Sequence, residues 1–219
     1  MRRALLGCEI VVHLAALHPL VAPPEADEAT YREANVVPFE ALLAVCAELD
    51  VTRVILASST SVWRDSPAGR PARFIDESVP PDADDPYARS KRECEDLLAR
   101  SRFARVVLRL ARFAPSGSAE DEVRKLYRAV DPEDAAAAVT LAAERAPSGS
   151  VYAVSAPTPF VPEDAPLLAN DPRAAIRLRT GQDPSWVPDR IGSVVVAARI
   201  VRELGWRPAR PSALMAVSR

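Results

Sequence analysis

The chain has 219 residues, enough for one globular domain that buries its own core without disulfides. Its hydrophobic share of 48% and charged share of 26% are those of an ordinary globular protein, which excludes the disordered, collagen-like and coiled-coil classes. The net charge is -2, and the basic residues are spread along the chain, so nucleic acid is not an expected partner.

The cysteines and the N-terminal segment predict a cytoplasmic protein. Cys8, Cys46 and Cys94 are odd in number and widely spaced, which favours reduced thiols over a disulfide framework. The apolar N-terminal stretch is interrupted by Glu9 and His13, so a strand is expected there instead of a secretion signal. No apolar run reaches the roughly 18 residues of a membrane span. The spacing of histidines and cysteines matches no standard ligand set, so no metal site is expected.

The first half of the chain predicts a strand, a long helix and a second strand. Glu9 to Ala16 is apolar on both faces, as in a central parallel strand. Glu25 to Leu49 has a helical period that Pro38 must kink or divide. Arg53 to Ser58 is a second buried strand, and it leads into a polar cluster that ends at Ser61.

The second half continues the alternation. Asp85 and Pro86 provide a helix cap and a proline at the first helical position. The segments that follow are a helix from Pro86 to about Arg102, a strand at Arg105 to Leu110, a helix from Pro132 through Ala146, a strand at Ser150 to Val154, and a helix from about Gly192 to Leu204 capped by Gly205. Strands and helices in this order predict a parallel sheet with helices on both faces.

Tyr87 and Lys91 are the pair of residues that most suggests chemistry. They lie four positions apart near the start of a predicted helix, so their side chains share one face. A phenol with a pKa near 10 works as an acid or base at neutral pH only if its anion is stabilised by roughly 4 kcal/mol. A nearby ammonium group and the positive helix end would supply part of this. The alternative is coincidence, which the composition allows with a frequency of about 0.04.

The serines after the second predicted strand are the other candidate group. In parallel α/β sheets, ligands bind outside the carboxyl ends of the strands, where a hydroxyl could hold a substrate oxygen. The alternative interpretation of Ser58 to Ser61 is an ordinary polar turn.

Several segments together carry a resemblance to a known family. They are VVHLAA at 11–16, Asn35-Val36, RVILASSTSVW at 53–63, PYARSK at 86–91, VDPEDAAAA at 130–138 and RELGWRP at 202–208. This set resembles the extended short-chain dehydrogenase/reductase family, the group of NAD-dependent sugar-nucleotide epimerases and dehydratases. The resemblance implies a parallel-sheet, Rossmann-like α/β fold in one domain over residues 1–219, with a small substrate-side part from about 112–130 and 156–192.

The resemblance also implies roles for individual residues and a cofactor, NAD or NADP. Tyr87 would be the catalytic acid/base, and Lys91 would lower its pKa and hold the nicotinamide ribose. Ser59 would hold the substrate oxygen. Matching positions that line or support the cofactor site are Ala15, Ala16 and Asn35.

The chain departs from the family pattern at its start. The family begins with a strand, a glycine-rich turn and a helix that bind the dinucleotide pyrophosphate, followed by a second strand-helix unit. These units are not found here, a difference of about sixty residues, so the fold is expected to be truncated at the N-terminus with the first three strands missing. Cofactor binding is therefore expected to be weak. The missing strands would leave one edge of the strand Glu9 to Ala16 bare, which predicts a homodimer through that edge or poor solubility.

The expected function is that of an NAD(P)-dependent epimerase/dehydratase-type oxidoreductase acting on a small hydroxyl-bearing metabolite, for example a nucleotide sugar. Two alternatives stay open. One is a cofactor-free remnant in which Tyr87 and Lys91 transfer protons or bind a metabolite. The other is a non-catalytic subunit, or an incomplete gene product whose true start lies upstream.

Overall fold

The computed structural model describes residues 1–215 and is built on a four-stranded parallel sheet. The strands are Ile10–His13 (β1), Arg53–Ser59 (β2), Arg73–Ile75 (β3), Ala104–Leu110 (β4), Arg112–Phe113 (β5), Ala129–Val130 (β6), Ser150–Val154 (β7) and Ser193–Val195 (β8). The main sheet has the order β1-β2-β4-β7, and β3 with β8 and β5 with β6 form two short parallel pairs. This is the α/β, parallel-sheet, Rossmann-like fold that the sequence predicts.

Nine α-helices surround the strands within residues 1–215. They are Arg2–Leu5 (α1), Glu28–Tyr31 (α2), Val37–Glu48 (α3), Pro86–Arg100 (α4), Ala119–Lys125 (α5), Pro132–Arg145 (α6), Ala165–Asn170 (α7), Pro172–Thr180 (α8) and Ala198–Leu204 (α9). In this part of the chain, none of them combines the length and the apolar character needed to cross a membrane.

Helices cover both faces of the central strands of the main sheet, so β2 is apolar on both sides. Val54 and Leu56 face one core, which they share with α3 and α4. Ile55 faces the opposite core, which is formed with α6, α9 and the buried Trp206. A strand buried on both faces shows no polar alternation, which is why Arg53 to Ser58 appears in the sequence as a continuous apolar run.

The prediction for β1 was wrong in its length and its burial. The strand covers Ile10–His13 instead of Glu9 to Ala16, and it lies at the edge of the sheet. Val11 packs into the core at 8% exposure, whereas Ile10 and Val12 remain 43% and 37% exposed. One face of β1 is therefore covered by helices and the other is open.

The long helix expected at Glu25 to Leu49 is divided, as Pro38 requires. Between α2 and α3 the chain forms a π-helical turn at Arg32–Val36, immediately before the proline. Proline has no N–H, and its ring collides with the carbonyl group four residues earlier in a regular α-helix. The wider π turn accommodates this without breaking the helical path.

The elements that surround the site start where their caps predict. The Asp85 side chain accepts a hydrogen bond from the Ala88 N–H at 3.0 Å, and Pro86 begins α4. Asp131 caps α6 in the same way through Glu133. Strand β7 has the predicted bounds, and α4 ends two residues before the predicted Arg102.

The helix expected from Gly192 to Leu204 was wrong in its first half. Residues Ser193–Val195 form β8, which pairs with β3, Arg73–Ile75. The helix proper begins at Ala198 and ends at Leu204, and Gly205 follows it with a φ of 70°, the left-handed conformation of a helix C-cap. The local sequence pattern of these β-branched valines is that of a helix. Pairing with β3, which is distant in sequence, makes them a strand instead.

A second apolar core lies next to the main sheet. It contains Ala72, Val123, Leu126, Phe160, Leu168, Ala175, Ile176, Ile191 and Val194. These residues come from α5, α7, α8, β8 and the segments next to them. Tyr127 packs against this core and also lines the cavity described below.

His13, at the end of β1, makes the stability of the fold dependent on pH. Its ring packs against Phe39 at 4.7 Å between centroids. Burial, aided by the nearby Lys91 ammonium, lowers the pKa of His13 from 6.5 to about 4. Because the unfolded chain binds this proton more readily, the stabilisation is complete above about pH 6.5 and is lost as the pH falls towards 4.

We therefore expect His13→Gln to flatten the acid side of the stability profile. Between pH 7 and pH 5, the unaltered protein should lose about 1 kcal/mol more unfolding free energy than the variant, after allowance for partial solvent screening. Urea denaturation at the two pH values measures this. Equal losses in both proteins would contradict the assignment.

Candidate functional site

A cavity of about 1010 Å³ lies at the carboxyl edge of the main sheet. Its walls come from the segments that follow β1, β2 and β4, from the first turns of α4, from the end of α5 and the residues after it, and from residues 188–193. In a parallel sheet these strand ends meet at one edge, so polar residues distant in sequence converge there.

Tyr87, Lys91 and Ser59 all line this cavity, and each of them is buried. Tyr87 and Lys91 project from the first two turns of α4, and Ser59 is the last residue of β2. The rings of His18 and Tyr31 pack edge-on against Tyr87 at centroid distances of 5.2 and 5.8 Å. The structure therefore brings together the three residues to which the resemblance assigned catalytic roles.

The Lys91 ammonium is held at the floor of the cavity by the backbone of β2. Its Nζ donates a hydrogen bond to the Ala57 carbonyl at 2.8 Å. Burial lowers the pKa of Lys91, while the thiol of Cys94 and the carboxylate of Glu95 act in the opposite direction. The positive charge of Lys91 is thus disfavoured by burial and favoured by Cys94 and Glu95 of the same helix.

Tyr87 departs from the expectation in one respect. Burial raises the pKa of its phenol, and Asp85 and Tyr31 add to the effect. The Ser59 hydroxyl works in the opposite direction by stabilising the phenolate. The net shift is upward, opposite to the lowering that the resemblance implies, because the effect of burial exceeds that of the Ser59 hydroxyl.

Ser59 serves as a turn cap at the same position where it faces the cavity. Its Oγ accepts a hydrogen bond from the Ser61 N–H at 3.0 Å and caps the short 3-10 turn Thr60–Val62. The polar-turn interpretation therefore applies to Ser59, which at the same time lines the cavity. The neighbouring Ser58 also lines the cavity, and its hydroxyl donates to Glu95 at 2.5 Å.

The residues predicted at the cofactor site are spread over two layers. Ala16 lines the cavity, whereas Ala15 and Asn35 are not part of its described wall. Asn35 is buried behind it and contacts three groups: it accepts from the Leu17 N–H at 2.6 Å and donates to the Leu17 carbonyl at 3.2 Å and to Ser90 Oγ at 3.0 Å. Asn35 thereby fastens the segment after β1 to α4.

The arginines of the cavity are functional candidates that the sequence analysis missed. The charged residues on its wall, apart from Lys91, are Arg64, Arg112, Arg124, Arg128, Arg190, Asp65, Asp84 and Asp85. Arg128 is used within the fold, since it donates to the carbonyls of Thr60 and Trp63. Arg112 is exposed, and within residues 1–215 it has no acidic partner. With arginines spread along the whole chain, no local pattern marks these positions.

The two ends of a dinucleotide fit this cavity unequally. Tyr87 and Lys91 present a hydroxyl and a charged donor to it, which suits a ribose. The glycine of the described wall is Gly192, where a Cβ would lie 2.8 Å from Asp65 Cβ, so this glycine allows close packing and does not cradle a phosphate. Among residues 1–215, no group of three or more potential metal ligands is present.

The sheet and the cavity define a Rossmann-like α/β protein with a polar site at the carboxyl edge. A sequence profile of the NAD-dependent epimerase/dehydratase family matches residues 1–130, and the chain belongs to this family.

A curated relative and two solved structures are similar to the chain. The 4-hydroxy-2-methyl-3-oxo-4-farnesyl-3,4-dihydroquinoline-1-oxide ketoreductase of Stigmatella aurantiaca is 28% identical over 242 aligned residues. The alignment covers 97% of this chain and 66% of the relative, just under two thirds of its length.

The solved structures show the fold. A short-chain dehydrogenase/reductase superfamily protein from Agrobacterium tumefaciens with bound NAD has a TM-score of 0.68 at 18% identity, over 98% of this chain and 79% of that one. The UDP-glucuronic acid 4-epimerase of Bacillus cereus in complex with NAD has a TM-score of 0.66 at 17% identity, over 98% and 74%.

Proposed function

We propose that this chain carries the proton-transfer site of an NAD(P)-dependent oxidoreductase of the epimerase/dehydratase type, acting on a hydroxyl-bearing metabolite. The observation that carries the proposal is the convergence of Tyr87, Lys91 and Ser59 on one cavity at the carboxyl edge of the sheet. The name of the curated relative, a ketoreductase, supports a reaction that interconverts an alcohol and a carbonyl group.

In the proposed reaction, Tyr87 exchanges a proton with the substrate oxygen and Ser59 orients that oxygen. When bound, NAD(P) supplies hydride exchange at the substrate carbon. The raised pKa of Tyr87 keeps its phenol protonated, which is the form that donates to a carbonyl oxygen, and the transfer itself requires that the phenolate left behind be stabilised. For the reverse direction, the Lys91 ammonium stabilises the phenolate through its charge.

The charge of the cavity wall supports an anionic substrate. Five arginines and Lys91 line it against three aspartates. Arg112 in particular has no acidic partner within the described residues and would attract a phosphate or carboxylate group. We propose a substrate of the nucleotide-sugar type, which presents a diphosphate to these arginines and a hydroxyl group to Tyr87. In this proposal, the substrate-side part comprises about residues 112–130 and 156–192.

Replacing Tyr87 by phenylalanine tests the central proposal. We expect Tyr87→Phe to lower turnover by roughly 10²- to 10⁴-fold, because it removes the group that transfers the proton. The assay supplies UDP-glucuronate or UDP-glucose with NAD or NADP and follows the absorbance of the reduced nicotinamide.

The matched control is Tyr152→Phe, which removes the hydroxyl group of a buried tyrosine. That hydroxyl donates to Glu203 on the far side of the sheet. The control variant should retain most of the turnover. Full activity in Tyr87→Phe would contradict the acid/base role.

The affinity for the free cofactor should be low for the 219-residue chain. The described residues offer the ribose end of a dinucleotide two partners but provide no glycine cradle for the pyrophosphate. Calorimetric titration with NAD and NADP should show no binding tighter than about the high micromolar range, or ~5 to 6 kcal/mol. A low-micromolar dissociation constant would show that another part of the chain holds the pyrophosphate.

We further propose that the chain self-associates through the edge of β1. Ile10 and Val12 are exposed there, and the strand has no lysine or proline to block pairing. Light scattering at micromolar concentration should show a dimer or larger species, and Val12→Lys should shift it towards monomer. A soluble monomer of the unaltered chain would contradict this proposal.

A further inference from the structure

A buried ion pair contacts two residues of the cavity wall, Ser58 and Trp63. Glu95 of α4 and Arg109 of β4 have side chains that are 12% and 7% exposed. The guanidinium group binds both carboxylate oxygens, with Nε to Oε1 at 3.1 Å and Nη2 to Oε2 at 2.7 Å. Its other neighbour is the ring of Trp63, whose centroid lies 4.7 Å from Arg109 Cζ.

Glu95 also reaches two elements of the proposed site. Its Oε1 accepts a hydrogen bond from the Ser58 hydroxyl on the cavity wall at 2.5 Å. It lies one helical turn after Lys91, on the same face of α4. The carboxylate is therefore bound to the Arg109 guanidinium group and lies one helical turn from Lys91, a second buried cation.

The other titratable and charged groups around Lys91 do not replace this carboxylate. Along α4 these are Tyr87 and Cys94, both of which are neutral at neutral pH. On the side of β1 and the loop after it are His13 and His18, whose pKa values are lowered by burial and by Lys91 itself. Arg109 on β4 adds a positive charge. Glu95 is thus the negative group that faces Lys91 in the described cluster.

We propose that Glu95 is a positioning residue that favours the charged form of Lys91 while fixing Ser58 and Arg109 at the carboxyl edge of the sheet. Arg109 anchors the carboxylate, and the same carboxylate acts on Lys91. The functional role of Glu95 rests on the proposed function, in which the Lys91 ammonium stabilises the phenolate of Tyr87. The test of the proposal, however, needs neither substrate nor cofactor.

The scarcity of lysine makes the test direct. The chain has two lysines, Lys91 and Lys125, so labelling with ¹³C-lysine gives two side-chain signals whose titration NMR can follow separately. In Glu95→Gln, the midpoint of Lys91 should fall by about one pH unit, the effect of losing a unit charge one helical turn away. Lys125 is fully buried and paired with Glu122 at 2.8 Å, so its midpoint should not move.

Two further variants make the result decisive. Ser58→Ala removes the hydrogen bond to Glu95 without changing any charge, so the midpoint of Lys91 should stay in place. If Glu95→Gln fails to fold because Arg109 is left unpaired, the double variant Glu95→Gln/Arg109→Met removes both buried charges and should still lower the Lys91 midpoint.

An unchanged Lys91 midpoint in the folded glutamine variant would overturn the proposal. A fall in Ser58→Ala equal to that in Glu95→Gln would do the same, because it would assign the effect to packing. Absence of turnover with the nucleotide sugars would count against the proposed function and leave this titration result intact.

Discussion

The parallel pairing of β2 with both β1 and β4 determines where polar chemistry can gather in this protein. Parallel strands present their carboxyl ends at the same edge, so the residues after Ser59, His13 and Leu110 must converge. Both faces of the central strands β2 and β4 are closed by helices, and at this edge hydroxyl, amine and guanidinium groups reach a common cavity.

A central strand that carries a charge requires compensation inside the fold. Arg109 stands in the middle of the parallel ladder, paired to Ser58 on one side and Ala153 on the other. The cost of burying its guanidinium group is offset by the bidentate carboxylate and the indole face. The same contacts hold Ser58 and Trp63 of the cavity wall in place. The groups that compensate the buried charge of Arg109 therefore also fix the geometry of the site.

Local sequence signals were sufficient to predict those helices and strands whose bounds are set by neighbouring residues. The cap at Asp85 followed by a proline gave the start of α4, and with it the common face of Tyr87 and Lys91. Long-range pairings were not accessible in this way. The valines after Gly192 form a strand because Arg73–Ile75 lies beside them, and the local period of the sequence has no information on that neighbour.

The candidate site was recovered in the same uneven manner. Spacing and resemblance identified the residues that share one helix or end one strand, and the structure gathers them in the cavity. They did not reveal that the Lys91 ammonium is directed to the Ala57 carbonyl, which depends on the path of β2. Spacing and resemblance also did not single out Arg112, because its interest as a candidate depends on its place in the cavity wall and on the groups around it there.

The π-helical turn before Pro38 imposes a constraint on the length of its segment. Tyr31, before the turn, packs against Tyr87, and Phe39, after it, packs against His13. In a helix, the loss of one residue rotates everything on one side of the gap by about 100° relative to the other side. A deletion inside Arg32–Val36 would therefore preserve one of these aromatic contacts only by losing the other. Substitutions that keep the length of this segment leave the two rings in phase, whereas indels do not.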